Sequence, residues 1–393
     1  MFETLRPQSP DKIIRLMQMF RDDPRMGKID LGVGVWRNAA GQTPVMAAVK
    51  AAERHLVETQ ESKSYVTLAG DAGFLEAMRG LLLGDAVPAA RVAAAGTPGG
   101  TGAVRQILEL VRLARPDATV WISEPTWPNH PALIDTVGLR RKSYRYYDAE
   151  TGALDRAGMM ADLAQVGPGD VVLLHGCCHN PTGADLARDD WRQLATLLAE
   201  RGSVPFVDMA YQGFGAGLEQ DADGLRLIAA QVPEVLIAAS CSKNFGLYRD
   251  RAGLAMAICR DAQAQGVVQG MLAWLNRQNF AFPPDHGARV VQTILGDADL
   301  RATWQSELET MRLAMDRNRA AFADALRQTT RSDRFGFLRD QRGMFSLIGI
   351  GAPAIARLRE EHGIYLIEDG RMNVAGLTDS TIPVVAEAIA ASI

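Results

Sequence analysis

Apolar runs of strand length alternate with helical patterns through the middle of the chain, and that alternation restricts the possible folds more than any other feature. The runs are Thr119–Ser123, Val171–His175, Val204–Val207, Val235–Ala239 and Leu254–Ile258, with helical stretches such as Asp189–Glu200 and Asp221–Gln231 between several of them. Strands separated by helices pair in parallel, because the chain must cross back over the sheet before the next strand starts. Right-handed crossovers put helices on both faces, and ligands collect at the carboxyl ends of the strands. The expected architecture is therefore α/β, built on a mostly parallel sheet.

The carboxyl-terminal stretch reads differently. A long polar, periodic helix runs from about Asp299 to Thr329, followed by Gly343-Met-Phe-Ser-Leu-Ile, a helix near Ala354–His362, a short strand at Ile364–Ile367 and a final helix. This pattern predicts a smaller α+β lobe. Near the amino terminus the first strand signal is Ile29–Val35, so the opening segment packs on that lobe or on a partner. The expected division is 1–45 as an arm and part of the small domain, 46–310 as the large domain, and 311–393 as the small domain. With no repeat or low-complexity linker, the two meet through packed surfaces, and a crevice between them is the expected site.

The 393 residues suffice for such a pair of cores. A net charge of −4 with both signs scattered offers no basic block for nucleic acid and no acidic tail. The start, Met-Phe-Glu-Thr-Leu-Arg-Pro, lacks the apolar core of a secretory signal, and no apolar stretch is long enough to span a bilayer. Cys177, Cys178, Cys241 and Cys259 form no disulfide framework, which predicts a reducing, cytoplasmic setting. Cys177-Cys178-His179 does not have zinc-ligand spacing and no second pair exists, so no metal is expected.

Several segments at strand ends carry chemistry. Lys243 follows the apolar run Val235–Ala239, and a lysine at the mouth of a buried strand is partly desolvated, which favours its neutral, nucleophilic amine. Arg249 and Arg251 return positive charge to the same region. Taken singly, Lys243 reads equally as a surface lysine in a basic turn. Thr97-Pro-Gly-Gly-Thr-Gly opens a helix, presenting bare N–H groups to a phosphate or simply forming a helix-entry turn. Trp127, stiffened by nearby prolines, is placed to stack on a planar ring, or to fill core space. Asn180, before Pro181, offers an amide to a ring oxygen or serves as a turn residue. Asp208 closes a buried run, where a carboxylate needs a cationic partner or an N-cap role. Tyr211 follows with a phenol. Arg371, and Arg277 as a second candidate, provide planar forks for carboxylates, or surface ion pairs.

As a set, these groups meet the demands of pyridoxal 5'-phosphate: an imine-forming lysine, an anion for a ring nitrogen, a phenol, a stacking indole and a phosphate cradle. The motifs Thr-Pro-Gly-Gly-Thr-Gly, Trp-Pro-Asn-His, His-Gly-Cys-Cys-His-Asn-Pro-Thr-Gly, Asp-x-Ala-Tyr-Gln-Gly-Phe and Ser-Lys-Asn-Phe-Gly-Leu-Tyr make the chain resemble, over nearly its whole length, a class I pyridoxal-phosphate aminotransferase of the aspartate and aromatic amino acid group. Asp30-Leu-Gly-Val-Gly-Val, Leu275-Asn-Arg-Gln and Asp333-Arg-Phe-Gly-Phe bring it closest to the bacterial aromatic amino acid enzymes.

That resemblance implies fold type I, with a seven-stranded sheet. It implies that Lys243 holds the cofactor through a Schiff base and then shuttles the substrate proton. Asp208 would pair with the ring nitrogen, backed by His130. Tyr211 and Asn180 would bind the ring 3-oxygen, and Trp127 would stack on the ring. Gly100, Thr101, Ser240 and Arg251 would hold the phosphate, with Tyr65 joining from the partner of a homodimer. Arg371 would clamp the substrate α-carboxylate, Arg277 of the partner the distal carboxylate of aspartate or glutamate, and Gly34 would lie near the substrate entrance. Trp36 and Phe282 depart from the family pattern and make the presumed pocket more apolar, favouring aromatic substrates. The expected reaction is ping-pong transfer of an amino group from aromatic amino acids, and from aspartate or glutamate, to a 2-oxo acid such as 2-oxoglutarate. The alternatives are a strict aspartate aminotransferase and, remotely, a non-catalytic cofactor-binding regulator; a Rossmann dehydrogenase would need a fingerprint loop that is missing.

Overall fold

The computed structural model describes residues 1–6 and 12–393; residues 7–11 of the expected amino-terminal arm lie outside them. Its largest sheet has seven strands: β1 (Val92–Pro98), β2 (Thr119–Glu124), β3 (Arg140–Arg145), β4 (Val171–His175), β5 (Val204–Met209), β6 (Val235–Ser240) and β7 (Ala252–Ile258), in the spatial order β1-β7-β6-β5-β4-β2-β3. Only β7 runs antiparallel to its neighbours, β1 and β6. The others are parallel, as the alternation predicts. Their carboxyl ends therefore share one edge, and β7 starts there.

Successive side chains of a strand point to opposite faces, and here both faces are covered. Val172, Leu174, Val207, Met209, Ile237 and Ala239 pack into one apolar cluster, while Val171, Leu173, Phe206, Leu236 and Ala238 pack into another on the opposite side. This is why these strands read as continuous apolar runs. The helix Gly99–Ala114 lays Val104, Ile107, Leu108 and Val111 on the second cluster, which fixes its amino terminus at the carboxyl edge of the sheet.

A third cluster joins Ile29 and Leu31 to Phe322, Leu326, Leu358, Met372 and Val385. Here Ile29–Asp30 pairs in parallel with Ile364–Tyr365, and Phe345–Leu347 pairs antiparallel with Arg371–Asn373. The strand expected over Ile29–Val35 stops at Asp30 because the Asp30 carboxylate accepts from the N–H groups of Gly32 and Val33 and turns the chain. The helix Ala298–Thr330 is continuous through the expected boundary at 310/311, with Met311 and Met315 in the sheet-side cluster and Phe322 in the third.

Candidate active site

Four loops leaving the carboxyl edge, together with the helix entry after β1, enclose a cavity of about 190 Å³. Gly100, Thr101, Trp127, Asn180, Asp208, Tyr211, Ser240, Lys243 and Arg251 all line it, joined by His175, Ser242 and Tyr248. Lys243 comes from the turn after β6, with Nζ 4.6 Å from the centroid of the Tyr211 ring. Burial pulls its amine down to about 8, and the Arg251 and Arg371 charges act in the same direction against the opposing pull of Asp208. About a tenth of this lysine is therefore neutral at pH 7, far more than of an ordinary lysine.

Asp208 stands at the end of β5, directly opposite His175 on β4. Burial alone would raise its carboxyl. The hydrogen bond from His130, with electrostatic support that includes Lys243, outweighs burial and holds it below the ordinary carboxylate range. His130 Nε2 lies 3.0 Å from Asp208 Oδ2, and the imidazole is completely buried. Behind it, the Thr126 hydroxyl is 2.9 Å from His130 Nδ1 and 3.0 Å from His175 Nε2. Burial drives His175 down to about 3, so it is neutral. With Nδ1 of His130 bound to Thr126, its Nε2–H is left to donate to Asp208. Trp127 meets the His130 ring edge-on, centroids 5.1 Å apart.

An anion cradle closes one end. Gly99 has φ +69°, and a Cβ there would sit 2.3 Å from Arg251 Nη2. Gly253 passes so close that its own Cβ would meet the Gly99 carbonyl carbon at 2.4 Å. Arg251, itself in the left-handed region at φ +57°, donates to Ser242 Oγ and to the Tyr248 carbonyl. The exposed N–H groups of the helix start, two serine hydroxyls and this guanidinium converge as a phosphate site requires.

At the other end, Asn180 bridges two groups: its Nδ2 donates to Tyr211 Oη at 3.3 Å, and its Oδ1 accepts from Arg371 Nη1 at 3.3 Å. Arg371 is 4% exposed, also donates to the Gly32 carbonyl, and lies 4.4 Å above the Phe345 ring. Gly34 abuts the same ring, since a Cβ there would come within 2.6 Å of Phe345 Cζ. Burial pushes the Tyr211 phenol up, so it stays protonated and can donate.

Tyr65 and Arg277 do not line this cavity. Tyr65 is 83% exposed and stacks on Phe282 at 4.5 Å, and Arg277 is exposed at the end of the helix Ala262–Asn279. Trp36 reaches the site through its backbone N–H, which donates to Tyr248 Oη at 3.3 Å. Sequence reasoning missed Thr126, the role of His175, Ser242, Tyr248 and Phe345. The position of His175 at the end of a strand, parallel to the available clue of Asp208, was the one usable signal. Cys177, Cys178 and Asp221 bring possible ligand atoms within 4.8 Å of one another. The Asp221 carboxylate already accepts from the N–H groups of Gly213, Gly215 and Ala216, the partners of a loop anchor.

A buried, easily neutralised amine, a carboxylate held ionised and an anion cradle in one cavity define an enzyme built around a lysine nucleophile. A family model described as aminotransferase class I and II matches residues 26–389. The chain belongs to that family. It is 54% identical over 389 residues, 99% of either chain, to the aromatic-amino-acid aminotransferase of Paracoccus denitrificans. The aspartate aminotransferase of Escherichia coli K12 is 42% identical over the full length of both. Among solved structures, an aromatic amino acid aminotransferase with 3-indolebutyric acid matches with a TM-score of 0.97 at 53% identity, covering 100% of both chains. The Burkholderia pseudomallei aromatic-amino-acid aminotransferase covalently bound to pyridoxal phosphate matches at 0.96 and 40% identity, over 100% of this chain and 99% of that one.

Proposed function

We propose that this aminotransferase moves the amino group of aromatic amino acids, and of aspartate or glutamate, to a 2-oxo acid such as 2-oxoglutarate, in two half-reactions at Lys243 with pyridoxal 5'-phosphate as cofactor. The residues fit that cofactor: two glycines leave room at the cradle, Arg251 and two serines face it, and a lysine and a carboxylate flank the same cavity. Bound there, it would supply an electron sink for the charge left when the substrate Cα loses its proton. Lys243 would hold the cofactor until the substrate amine displaces it, and its freed, neutral Nζ would take up the substrate Cα proton. Asp208, kept ionised by His130, supplies the negative charge that a ring-nitrogen proton needs. Tyr211 and Asn180 would donate to the ring oxygen, and Trp127 would cover the ring. Gly100, Thr101, Ser240 and Arg251 hold the phosphate. Arg371 grips the α-carboxylate and orients Cα toward Lys243.

Tyr65 and Arg277 act in the site of a second copy, which makes the enzyme a homodimer; their exposure in a single chain supports this. The crevice lies between a large domain (46–310) and a small one (311–393, with part of 1–45). The four cysteines are free thiols, which suits a reducing cytoplasm. The apolar Trp36, and the 54% identity to the Paracoccus denitrificans aromatic enzyme against 42% to the Escherichia coli aspartate enzyme, support aromatic substrates; Arg277 supports the dicarboxylic ones. The observation that carries the reading is the convergence of Lys243, Asp208 and, through Asn180, Arg371. The test is a visible spectrum of the purified holoenzyme titrated with phenylalanine, tyrosine and aspartate, followed by kcat/KM for each. Absorbance changes with every substrate and a higher kcat/KM for the aromatic ones are expected. A protein that never takes up the cofactor ends the proposal, and turnover of aspartate alone replaces it with a strict aspartate enzyme.

A further inference from the structure

The helix Ala298–Thr330 changes cores along its length, from Trp304, Leu308, Met311 and Met315 on the sheet side to Phe322 and Leu326 in the small-lobe cluster. Arg319 sits between these stretches and is 1% exposed. Its guanidinium donates to Ser346 Oγ at 2.6 Å and to the carbonyls of Phe345 at 2.7 Å, Gly343 at 2.8 Å and Arg342 at 3.2 Å, with a longer bond of 3.5 Å to the Leu338 carbonyl. None of these acceptors is a carboxylate. Asp316 and Asp185 act on this charge only from a distance; burying it without a bonded carboxylate is unfavourable, and an apolar residue would fill a buried helix position more readily. Burial lowers this guanidinium only to about 10, so it remains charged at neutral pH. The gain must lie in what its planar fork holds.

It holds the segment that supports Arg371. Phe345–Leu347 pairs with Arg371–Asn373, placing Leu347 opposite Arg371. Phe345 also lies edge-on to Tyr211, centroids 6.1 Å apart, while its ring underlies the Arg371 guanidinium. The same segment is tied to the Asn180 loop, because Arg342 N–H donates to the Gly183 carbonyl at 2.7 Å. We propose that Arg319 is a positioning residue for substrate-carboxylate binding: its fork sets the height and register of residues 342–346, and so the place of Arg371 over the cavity. This rests on the reading of Arg371 as the α-carboxylate clamp. Lysine cannot replace it, having a single nitrogen where five acceptors, four of them in residues 342–346, are spread around a planar group.

The test uses the holoenzyme and 3-phenylpropanoate, an aromatic carboxylate without an amine, whose binding is followed by the change in cofactor absorbance. Arg319→Lys is expected to weaken binding at least about tenfold and to raise KM for phenylalanine in parallel. Its kcat should stay within about threefold of the parent, and the pH midpoint of the unliganded absorbance should not move, because Lys243 and Asp208 are held by other elements. Ser346→Ala, which removes one acceptor, is expected to weaken binding about threefold, and it carries the test if Arg319→Lys does not fold. Arg371→Leu is the reference. If that variant binds 3-phenylpropanoate like the parent, the clamp reading fails. If Arg371→Leu loses binding while Arg319→Lys and Ser346→Ala retain it within twofold, the inference about Arg319 is overturned. A shifted absorbance midpoint with a matching fall in kcat also overturns it, because Arg319 would then hold the whole site rather than the carboxylate clamp.

Discussion

The depressed basicity of Lys243 can be measured in the cofactor-free protein, where its amine is not engaged. Burial takes it from the ordinary 10.5 to about 8. At pH 7 the neutral fraction of an ordinary lysine is 10^−3.5, and that of Lys243 about 10^−1, so the reactive form rises roughly 300-fold. Acetic anhydride is small, acylates only neutral amines with loss of acetate, and has no titrating form of its own in this range. The second-order acetylation rate at Lys243, corrected for reagent hydrolysis and read by peptide mass spectrometry, should climb tenfold per pH unit and level off near pH 8, while exposed lysines such as Lys50 and Lys63 serve as internal references. The sign of the Asp208 contribution gives a second arm. A negative charge favours the protonated amine, so Asp208→Asn removes that support and should move the midpoint to lower pH. A Lys243 rate still rising above pH 10, or a midpoint moving upward in Asp208→Asn, would refute the argument that burial sets this amine.

Two further outcomes follow from the geometry. Gly99→Ala adds a Cβ 2.3 Å from Arg251 Nη2 at a backbone φ of +69°, which destabilises by about 1–2 kcal/mol through the left-handed conformation. The arginine end can swing aside, so the larger effect should be at least a tenfold loss of cofactor affinity in an equilibrium titration with only a small fall in melting temperature; unchanged affinity would remove Arg251 from the cradle. Asp208→Ala should lower kcat at least about a hundredfold with the cofactor still bound, as measured by steady-state kinetics and absorbance, and an unchanged kcat would contradict its assigned role.

The parallel sheet was legible because strands buried on both faces cannot alternate in polarity, and five of the seven appear as apolar runs. The two that do not stand out have physical reasons. β1 is Val-Ala-Ala-Ala-Gly-Thr-Pro, with a glycine where the Ala69 loop and Pro283 pack closely against it and the Gly96 N–H donates to the Ala69 carbonyl at 2.7 Å. β3, Arg-Arg-Lys-Ser-Tyr-Arg, lies at the sheet edge, where five of six side chains face water and charge guards the open edge. At the site, Lys243, Asp208 and the glycine turn could be picked out because each sits just past a strand or before a helix, where ligand sites form.

By itself, the order of residues along the chain determined which chemical groups reach the carboxyl edge, since strand and helix periods are local properties. It also carried the motifs that tie the chain to its family. The tertiary fold alone decided the couplings between them. The chain of Asp208, His130, Thr126 and His175 spans three sheet-edge segments, Arg371 meets Asn180 across 191 positions, and Arg319 grips a loop that is not adjacent in sequence. Distances of that kind, and the burial that shifts Lys243, arise only when the packed cores bring remote segments together and expel water. No window of sequence contains either the neighbour or the dielectric that makes it matter.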